Sequence, residues 1–339
     1  MITELISECD VAAAKQLIER HGLSFEAGFD NLVGIHEQGE LVAVGARAGN
    51  VLKMLAVEPE YQGGSLLGEI VTLLVSRGYA AGFDSLFVYT KPEYAGSFQA
   101  LNFKLLASQA KVALLEYGNG LKNWLAAQSA LIKPGGNGAV VMNCNPFTLG
   151  HRYLVETAAR QVDNLYLFVV REERSIFPFA VRLRLAQEGV RDLKNVIVLD
   201  TGNYLVSSAT FPTYFLKKDD PVARIQMELD ITLFASRIAP FFGLSRRFVG
   251  SEPLCQLTRA YNDTMRELLP AHGIALVEIE RKEALSEVIS ASRVRELLAH
   301  QDLTQLHNHV PASTLAFLIS EEAAPIRRQL EDQVVRQEV

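Results

Sequence analysis

Five short apolar runs in the second half of the chain constrain its fold more than any other feature. Ala139 to Met142, Leu165 to Val170, Asn195 to Leu199, Arg247 to Gly250 and Ile274 to Ile279 are strand-sized, and several are β-branched. Between them, Phe179 to Val190, Pro221 to Ile238 and Gln256 to Leu269 carry apolar residues at helical spacing. Strands that alternate with helices imply a parallel sheet with crossover connections. Ligands then collect at the carboxyl ends of the strands.

The first of these strands runs into Asn143 to His151, NCNPFTLGH. A Pro-containing turn leads to a helix opening on Thr148, Leu149, Gly150 and His151. Thr148 and His151, three residues apart, share one helix face. Gly150 removes a side chain between them and lets a ligand lie against the backbone. A helix N-terminus with unpaired N–H groups and a positive dipole end is an anion site, and phosphate is the expected guest. Cys144 lies inside this stretch. No catalytic Cys/His pattern accompanies it beyond His151, so a small buried residue beneath the loop is expected.

The stretch resembles the (H/T)xGH motif of the nucleotidyltransferase superfamily. The resemblance implies that Thr148 and His151 stabilise charge on the α-phosphoryl oxygens of ATP during in-line displacement. It also places Asn145 and Gly150 among the ATP contacts. Downstream, Ile289 to Arg295 reads ISASRVR and runs into Glu296, Leu297, Leu298 and Ala299. Ser290 or Ser292 suits an N-cap, and Arg293 and Arg295 add cationic forks near that helix start. This is similar to the ISSTxxR signature that closes the same site over the β- and γ-phosphates, with Ala291 and Ser292 as departures. Gly250, Ser251 and Glu252 directly follow a strand, where the superfamily places residues around adenine and ribose. Arg182 and Arg184 are further cations that reach phosphates or solvent.

The first third has a different texture. Asn31 to His36 and Leu41 to Ala48 alternate around a Glu-Gln-Gly-Glu turn and predict a hairpin. Val51 to Val57 predicts a strand, Gln62, Gly63, Gly64 and Ser65 a loop, and the residues to about Tyr79 a helix. The segment resembles the acyl-CoA-binding part of the GNAT fold, whose (Q/R)GxGxG loop holds a pyrophosphate on backbone amides. Ser65 and Leu67 stand where that family has glycine or a small residue. Phe98, Asn102 and Phe103 stand where many of its members carry YxxxGF. A phenyl ring cannot be a general acid. The module is therefore expected to bind a pantetheine-like arm through Gln62, Gly63, Gly64 and Ser65.

With 339 residues, the chain is long enough for two domains. A net charge of −6 argues against general nucleic-acid binding. Three cysteines without paired spacing suggest a reducing compartment, and no leader or membrane span is legible, so the cytoplasm is expected. The expected organisation is a GNAT-like α+β domain over 1–116, a Gly- and Pro-rich linker over 117–138, a Rossmann-like parallel-sheet nucleotidyltransferase domain over 139–320, and a charged tail over 321–339. The stretch from Asp200 to Lys218, DTGNYLVSSATFPTYFLKK, is rich in aromatics and hydroxyls. A lid, a carboxylate pocket and a plain surface loop all remain open for it.

The order of these pieces resembles the citrate (pro-3S)-lyase ligase family across essentially the whole chain. The resemblance implies an AMP-forming acid–thiol ligase that uses ATP with Mg²⁺ and acetate. Its partner would be the acyl-carrier subunit of citrate lyase, acetylated on its dephospho-CoA-derived thiol. Two other readings stay open: an adenylyltransferase making a nucleotide cofactor, and a non-catalytic acyl-CoA-sensing regulator. No set of metal ligands is legible.

Overall fold

The computed structural model describes residues 2–171, 175–205, 211–217, 219–252, 255–281, 283–284 and 287–337. Contacts divide the chain into two compact units, Met1–Ala127 with Thr210–Leu233, and Gln128–Ala209 with Phe234–Val339.

The first unit holds β1 (Ile2–Glu4), α1 (Glu8–Arg20), β2 (Asn31–Glu37), β3 (Glu40–Ala48), β4 (Val51–Val57), α2 (Leu66–Ala80), β5 (Ser85–Thr90), α3 (Ala95–Ala100), β6 (Phe103–Ser108), β7 (Ala113–Gly118) and α4 (Gly120–Ala127). Its seven-stranded sheet has the order β1-β2-β3-β4-β5-β7-β6. Ile70, Val71 and Leu74 on one stripe of α2 pack over Val33, Ile35, Leu52 and Val88 of the sheet. Burying each of these side chains stabilises the unit by about 1.5–3 kcal/mol. The central strands β4 and β5 are parallel but pair only at Val51–Phe87 and Leu52–Val88. Beyond Leu52 the chain takes a left-handed turn at Met54, φ 55°, and the two strands part. This is an α+β arrangement, as expected for the first third of the chain.

The second unit begins with β8 (Asn137–Met142), α5 (Leu149–Ala159), β9 (Asn164–Val169), α6 (Phe179–Val190) and β10 (Val196–Asp200). After α7 (Val222–Leu233) it continues with α8 (Ala239–Phe242), β11 (Leu244–Gly250), α9 (Gln256–Leu268), β12 (Ala275–Ile279), α10 (Ala291–Ala299), α11 (Ala312–Leu318) and α12 (Ala324–Gln337). Its five-stranded sheet has the order β10-β9-β8-β11-β12, with every pairing parallel. The strand order reverses between β8 and β11, the switch point at which such sheets bind ligands. Phe147, Val155, Leu167, Phe177 and Leu185 fill the core beside Leu298 and Phe317.

Strand and helix positions follow the hydrophobic spacing closely, but three boundaries differ from the sequence reading. The expected linker over 117–138 overlaps structure at both ends, because β7 runs to Gly118 and β8 starts at Asn137. The charged tail over 321–339 contains α12, which buries Ile326 and Leu330 in the core of the second unit. Ile326 and Leu330, four apart, share one face and point inward, while Arg328 and Asp332 are exposed. The third difference concerns residues 210–233, expected inside the 139–320 domain and grouped instead with the first unit. Of the aromatic stretch over 200–218, residues 206–210 and 218 lie outside the described residues. Phe211, Tyr214, Phe215 and Leu216 are buried, so this part is no plain surface loop.

Candidate active site

In the second unit, the carboxyl ends of β8 and β11 open into a cavity of about 660 Å³ lined by Thr148, Gly150, His151, Gly250, Glu252, Arg281, Ser290 and Ser292 among others. Thr148 caps α5: its Oγ1 accepts the His151 N–H at 3.2 Å, while His151 Nδ1 accepts the Thr148 N–H at 3.0 Å. This reciprocal cap has a chemical consequence. Because Nδ1 is an acceptor, the neutral imidazole carries its proton on Nε2 and is a donor there. Desolvation, with the nearby Arg281 charge adding to it, pushes the His151 pKa down to about 4. Part of the residue's surface still opens onto the cavity. The ring is thus a neutral hydrogen-bond donor at neutral pH.

The first-turn amides of α5 are partly committed. Leu149 N–H donates to the His309 carbonyl at 2.8 Å, and His151 N–H to Thr148. Among the described residues no acceptor meets the Gly150 N–H. Gly150 is also a packing necessity, because a Cβ there would lie 2.9 Å from the Ile289 carbonyl oxygen. The two motifs, separated by well over a hundred residues, are therefore in direct contact. A second link joins them: Arg295 Nη1 donates to the Asn145 carbonyl at 2.6 Å and Nη2 to Ser292 Oγ at 3.1 Å. Ser290, not Ser292, is the N-cap of α10, accepting the Arg293 N–H at 3.1 Å.

Several expected contacts take other positions. Arg293 does not line the cavity and pairs with Glu296 at 3.1 Å, one turn along the same helix. Asn145 also lies outside the lining, its Oδ1 accepting the Phe177 N–H at 3.1 Å. Arg182 is fully buried and donates to the Phe177 carbonyl, the Asn143 carbonyl, Asn143 Oδ1 and the Val170 carbonyl at 2.7–3.0 Å. It braces the turn after β8 instead of reaching a phosphate. Arg184 pairs with Glu322 at 2.8 Å. Cys144 is buried, and desolvation raises its pKa, so it stays a thiol.

Arg281 escaped the sequence reading. It follows β12 at the carboxyl edge of the sheet, and its Nε donates to the Ser251 carbonyl at 2.7 Å while Nη2 pairs with Glu252. Glu252 Oε1 also accepts the Cys255 N–H at 3.1 Å, and Asn262 Nδ2 donates to the Gly250 carbonyl at 3.0 Å. The Gly250–Glu252 turn is thereby pinned from two sides. The signal available in the sequence was positional: Arg281 is the second residue after the last strand of the sheet, where ligand groups collect.

In the first unit, Gln62 Nε2 donates to the Val57 carbonyl at 2.9 Å, Gly63 takes φ +81°, and Ser65 Oγ donates to Glu69 at 2.7 Å. Gln62, Gly63 and Gly64 line the mouth of a cleft of about 320 Å³ that includes Leu55, Val57, Thr90, Phe98, Tyr214 and Phe215. Ser65 instead lines a separate, wider hollow with Gly68 and Ser97. Asn102 adopts φ 67°, a left-handed position that asparagine tolerates in place of glycine.

A family model described as the citrate lyase ligase C-terminal domain matches residues 137–318. The citrate (pro-3S)-lyase ligase of Klebsiella pneumoniae is 40% identical over 314 residues, 91% of this chain and 92% of its own. The chain belongs to the citrate lyase ligase family. It is an enzyme of the ligase class. The Escherichia coli (strain K12) ligase of the same name is 38% identical over 316 residues, covering 91% of this chain and 90% of its own length. A phosphopantetheine adenylyltransferase of Streptococcus gordonii is 28% identical over 176 residues, half of this chain and 86% of its own. Ligase-family membership and the parallel-sheet cavity thus meet in one unit. No helix among the described residues is long and apolar enough to cross a membrane.

Proposed function

We propose that this ligase activates citrate lyase by ATP-dependent acetylation, with adenylation in the second-unit cavity. The observation that carries this is the meeting of the two motifs around one cavity, through Gly150 against Ile289 and Arg295 on Asn145. An acetate oxygen attacks the α-phosphorus of ATP, the bond to the β-phosphate oxygen breaks, and pyrophosphate leaves. Acetyl-AMP remains. Charge developing on the α-phosphoryl oxygens meets the Nε2–H of His151 and the Gly150 N–H, donors already fixed by the cap of α5. Arg281, held by Ser251 and Glu252, supplies positive potential at the cavity wall. Ser290 and Ser292 extend the polar surface toward the β- and γ-phosphates. Arg295 acts by holding the NCNPF turn against α10.

Mg²⁺ bound to the triphosphate would share its negative charge. Among the described residues no group of three or more His, Cys, Asp or Glu side chains is placed to hold a metal. Glu252, the acidic residue of the cavity's pinned turn, is tied to Arg281. That donor set fits an ion carried on substrate oxygens and water.

In the second half-reaction, the thiolate of the dephospho-CoA-derived group on the lyase's acyl-carrier subunit attacks the acetyl carbonyl, and AMP leaves. The first unit holds the pantetheine arm in the cleft behind Gln62, Gly63 and Gly64. Beyond Leu52 the edge of β4 has no partner from β5, and an amide-bearing arm can use such an edge for hydrogen bonds. A reducing cytoplasm suits the three free cysteines, Cys9, Cys144 and Cys255.

The test is pyrophosphate release from ATP with and without acetate, followed by transfer of acetyl label to deacetylated citrate lyase. Release should require acetate and His151, and label should reach the carrier thiol. Turnover indifferent to acetate would replace this reading with a cofactor adenylyltransferase, and no turnover at all with a regulator.

A further inference from the structure

The wedge between β4 and β5 has a filled apex. Tyr214 stands in it: the hydroxyl donates to the Tyr89 carbonyl of β5 at 2.6 Å, and the backbone of Met54 on β4 lies beside it. One side chain thus stands between the two strands where they have begun to part. The segment that carries it is anchored at several points. Ser24 N–H donates to the Tyr214 carbonyl at 2.7 Å, and Thr213 donates through both its N–H and its Oγ1 to Glu26 Oε1 at 3.0 and 3.1 Å. Phe211 meets Tyr89 edge-on at 5.6 Å, and Tyr214 meets Phe215 edge-on at 5.3 Å. Both Tyr214 and Phe215 are buried, yet both face the cleft. Desolvation raises the Tyr214 pKa, so the phenol is neutral and its proton remains available.

The direction of the cleft follows from the strand order of these contacts. Gly63 and Gly64 follow the end of β4 and are exposed at the mouth, whereas Leu55, earlier on the same strand, lines the cleft together with the buried Tyr214 and Phe215. An arm entering past the glycines runs along β4 from Val57 toward Leu55 and meets the aromatic pair. That pair cannot recede without breaking the buried hydrogen bond from Tyr214 to Tyr89 and the anchors of its segment on Ser24 and Glu26, and a close-packed interior does not yield to added methylenes. We propose that Tyr214 and Phe215 form the end wall of the arm cleft and set its acyl selectivity, admitting a free thiol or a two-carbon acyl group and rejecting longer chains. The inference rests on the reading of the first unit as an arm-binding site, and deepens it. It gives the aromatic stretch around Phe211 to Leu216 a function in the first unit, although the stretch lies among the strands of the second in sequence.

The experiment is direct binding of dephospho-CoA and its acetyl, butyryl and hexanoyl thioesters to the full chain by titration calorimetry. The wild type should bind the thiol and acetyl forms alike and the hexanoyl form at least tenfold more weakly, in line with the roughly ten- to two-hundredfold range for a methylene in a shaped apolar pocket. Phe215→Ala should bring the hexanoyl form to within about threefold of the acetyl form. Phe215→Leu, a gentler truncation, should shift the cut-off toward butyryl, and its melting curve checks the fold independently. Equal affinity of the wild type for acetyl and hexanoyl forms would overturn the end wall, as would a Phe215 variant that weakens all four ligands equally. If none of the four binds a wild type that still releases pyrophosphate with acetate, the arm site itself is refuted while the adenylation reading stands.

Discussion

The two cavities of this chain are built by different means. The second-unit cavity is assembled from element ends, a capped helix, a pinned turn and a buried arginine, each wired to its neighbours by short hydrogen bonds. The first-unit cleft arises where two parallel strands stop pairing, and a segment more than a hundred residues away fills its apex. Donors aimed at developing charge must be fixed before reaction. An arm site needs length and shape, and packing supplies those. The same chain thus uses polar networks where charge develops and aromatic packing where a flexible arm must stop.

The strongest test of that contrast is Arg182→Met. Four acceptors around the turn after β8 would lose a buried cationic donor, and the change should destabilise the protein by about 3–5 kcal/mol. Chemical denaturation with pyrophosphate release as a second readout measures both losses. A near-neutral result would mean that the turn is held by packing, as the cleft is.

His151→Ala comes next. Removing one preorganised donor should lower acetate-dependent pyrophosphate release by roughly 10²- to 10³-fold, measured under saturating ATP. Transfer from chemically prepared acetyl-AMP to the carrier thiol should fall far less, since the imidazole serves the phosphoryl step. Gly150→Ala should follow, because the new Cβ must push Ile289 and α10 away from α5. Overpacking of this kind costs about 1–3 kcal/mol, and the rise in KM for ATP should exceed the fall in kcat.

The arm side predicts smaller effects. Thr213→Val removes one hydroxyl bond to Glu26 and should cost about 1 kcal/mol in thermal unfolding, leaving adenylation intact. The second-unit site adds a pH response. His151 has a folded pKa of about 4 against an ordinary 6.5, so between those values the unfolded chain binds a proton that the folded chain does not. Its contribution to stability is complete above pH 6.5 and is lost as pH falls toward 4. The His151→Ala variant should lack this slope in denaturation curves, and the pyrophosphate-release profile should carry no inflection near 6.5 from this ring.

The legibility of each part tracks how far its contacts reach. Strand and helix positions in the second unit were readable because hydrophobic period is written residue by residue, and Phe179–Val190 has the expected bounds. The caps of α5 and α10 were equally local, since Thr148 with His151 and Ser290 with Arg293 are three residues apart. The direction of Arg293 is not local in the same way: adjacency to Ser292 says nothing about which way a long side chain turns, and here it pairs with Glu296 one turn along the helix. Arg182 and Arg281 carry no local mark that separates them from solvated arginines. Only burial in one case, and placement beside Glu252 in the other, reveals their work.

By itself the sequence determined the alternation of elements, the two capped helix starts and the family, because propensity, periodicity and motif are properties of short windows. Only the tertiary structure decided that Gly150 meets Ile289, that Arg281 pins the turn at Gly250, and that Tyr214 reaches the Tyr89 carbonyl of β5 from a segment more than a hundred residues away. Those are contacts across long loops, chosen by which surfaces exclude water together and which buried polar groups find partners. No window of sequence contains both sides of such a choice.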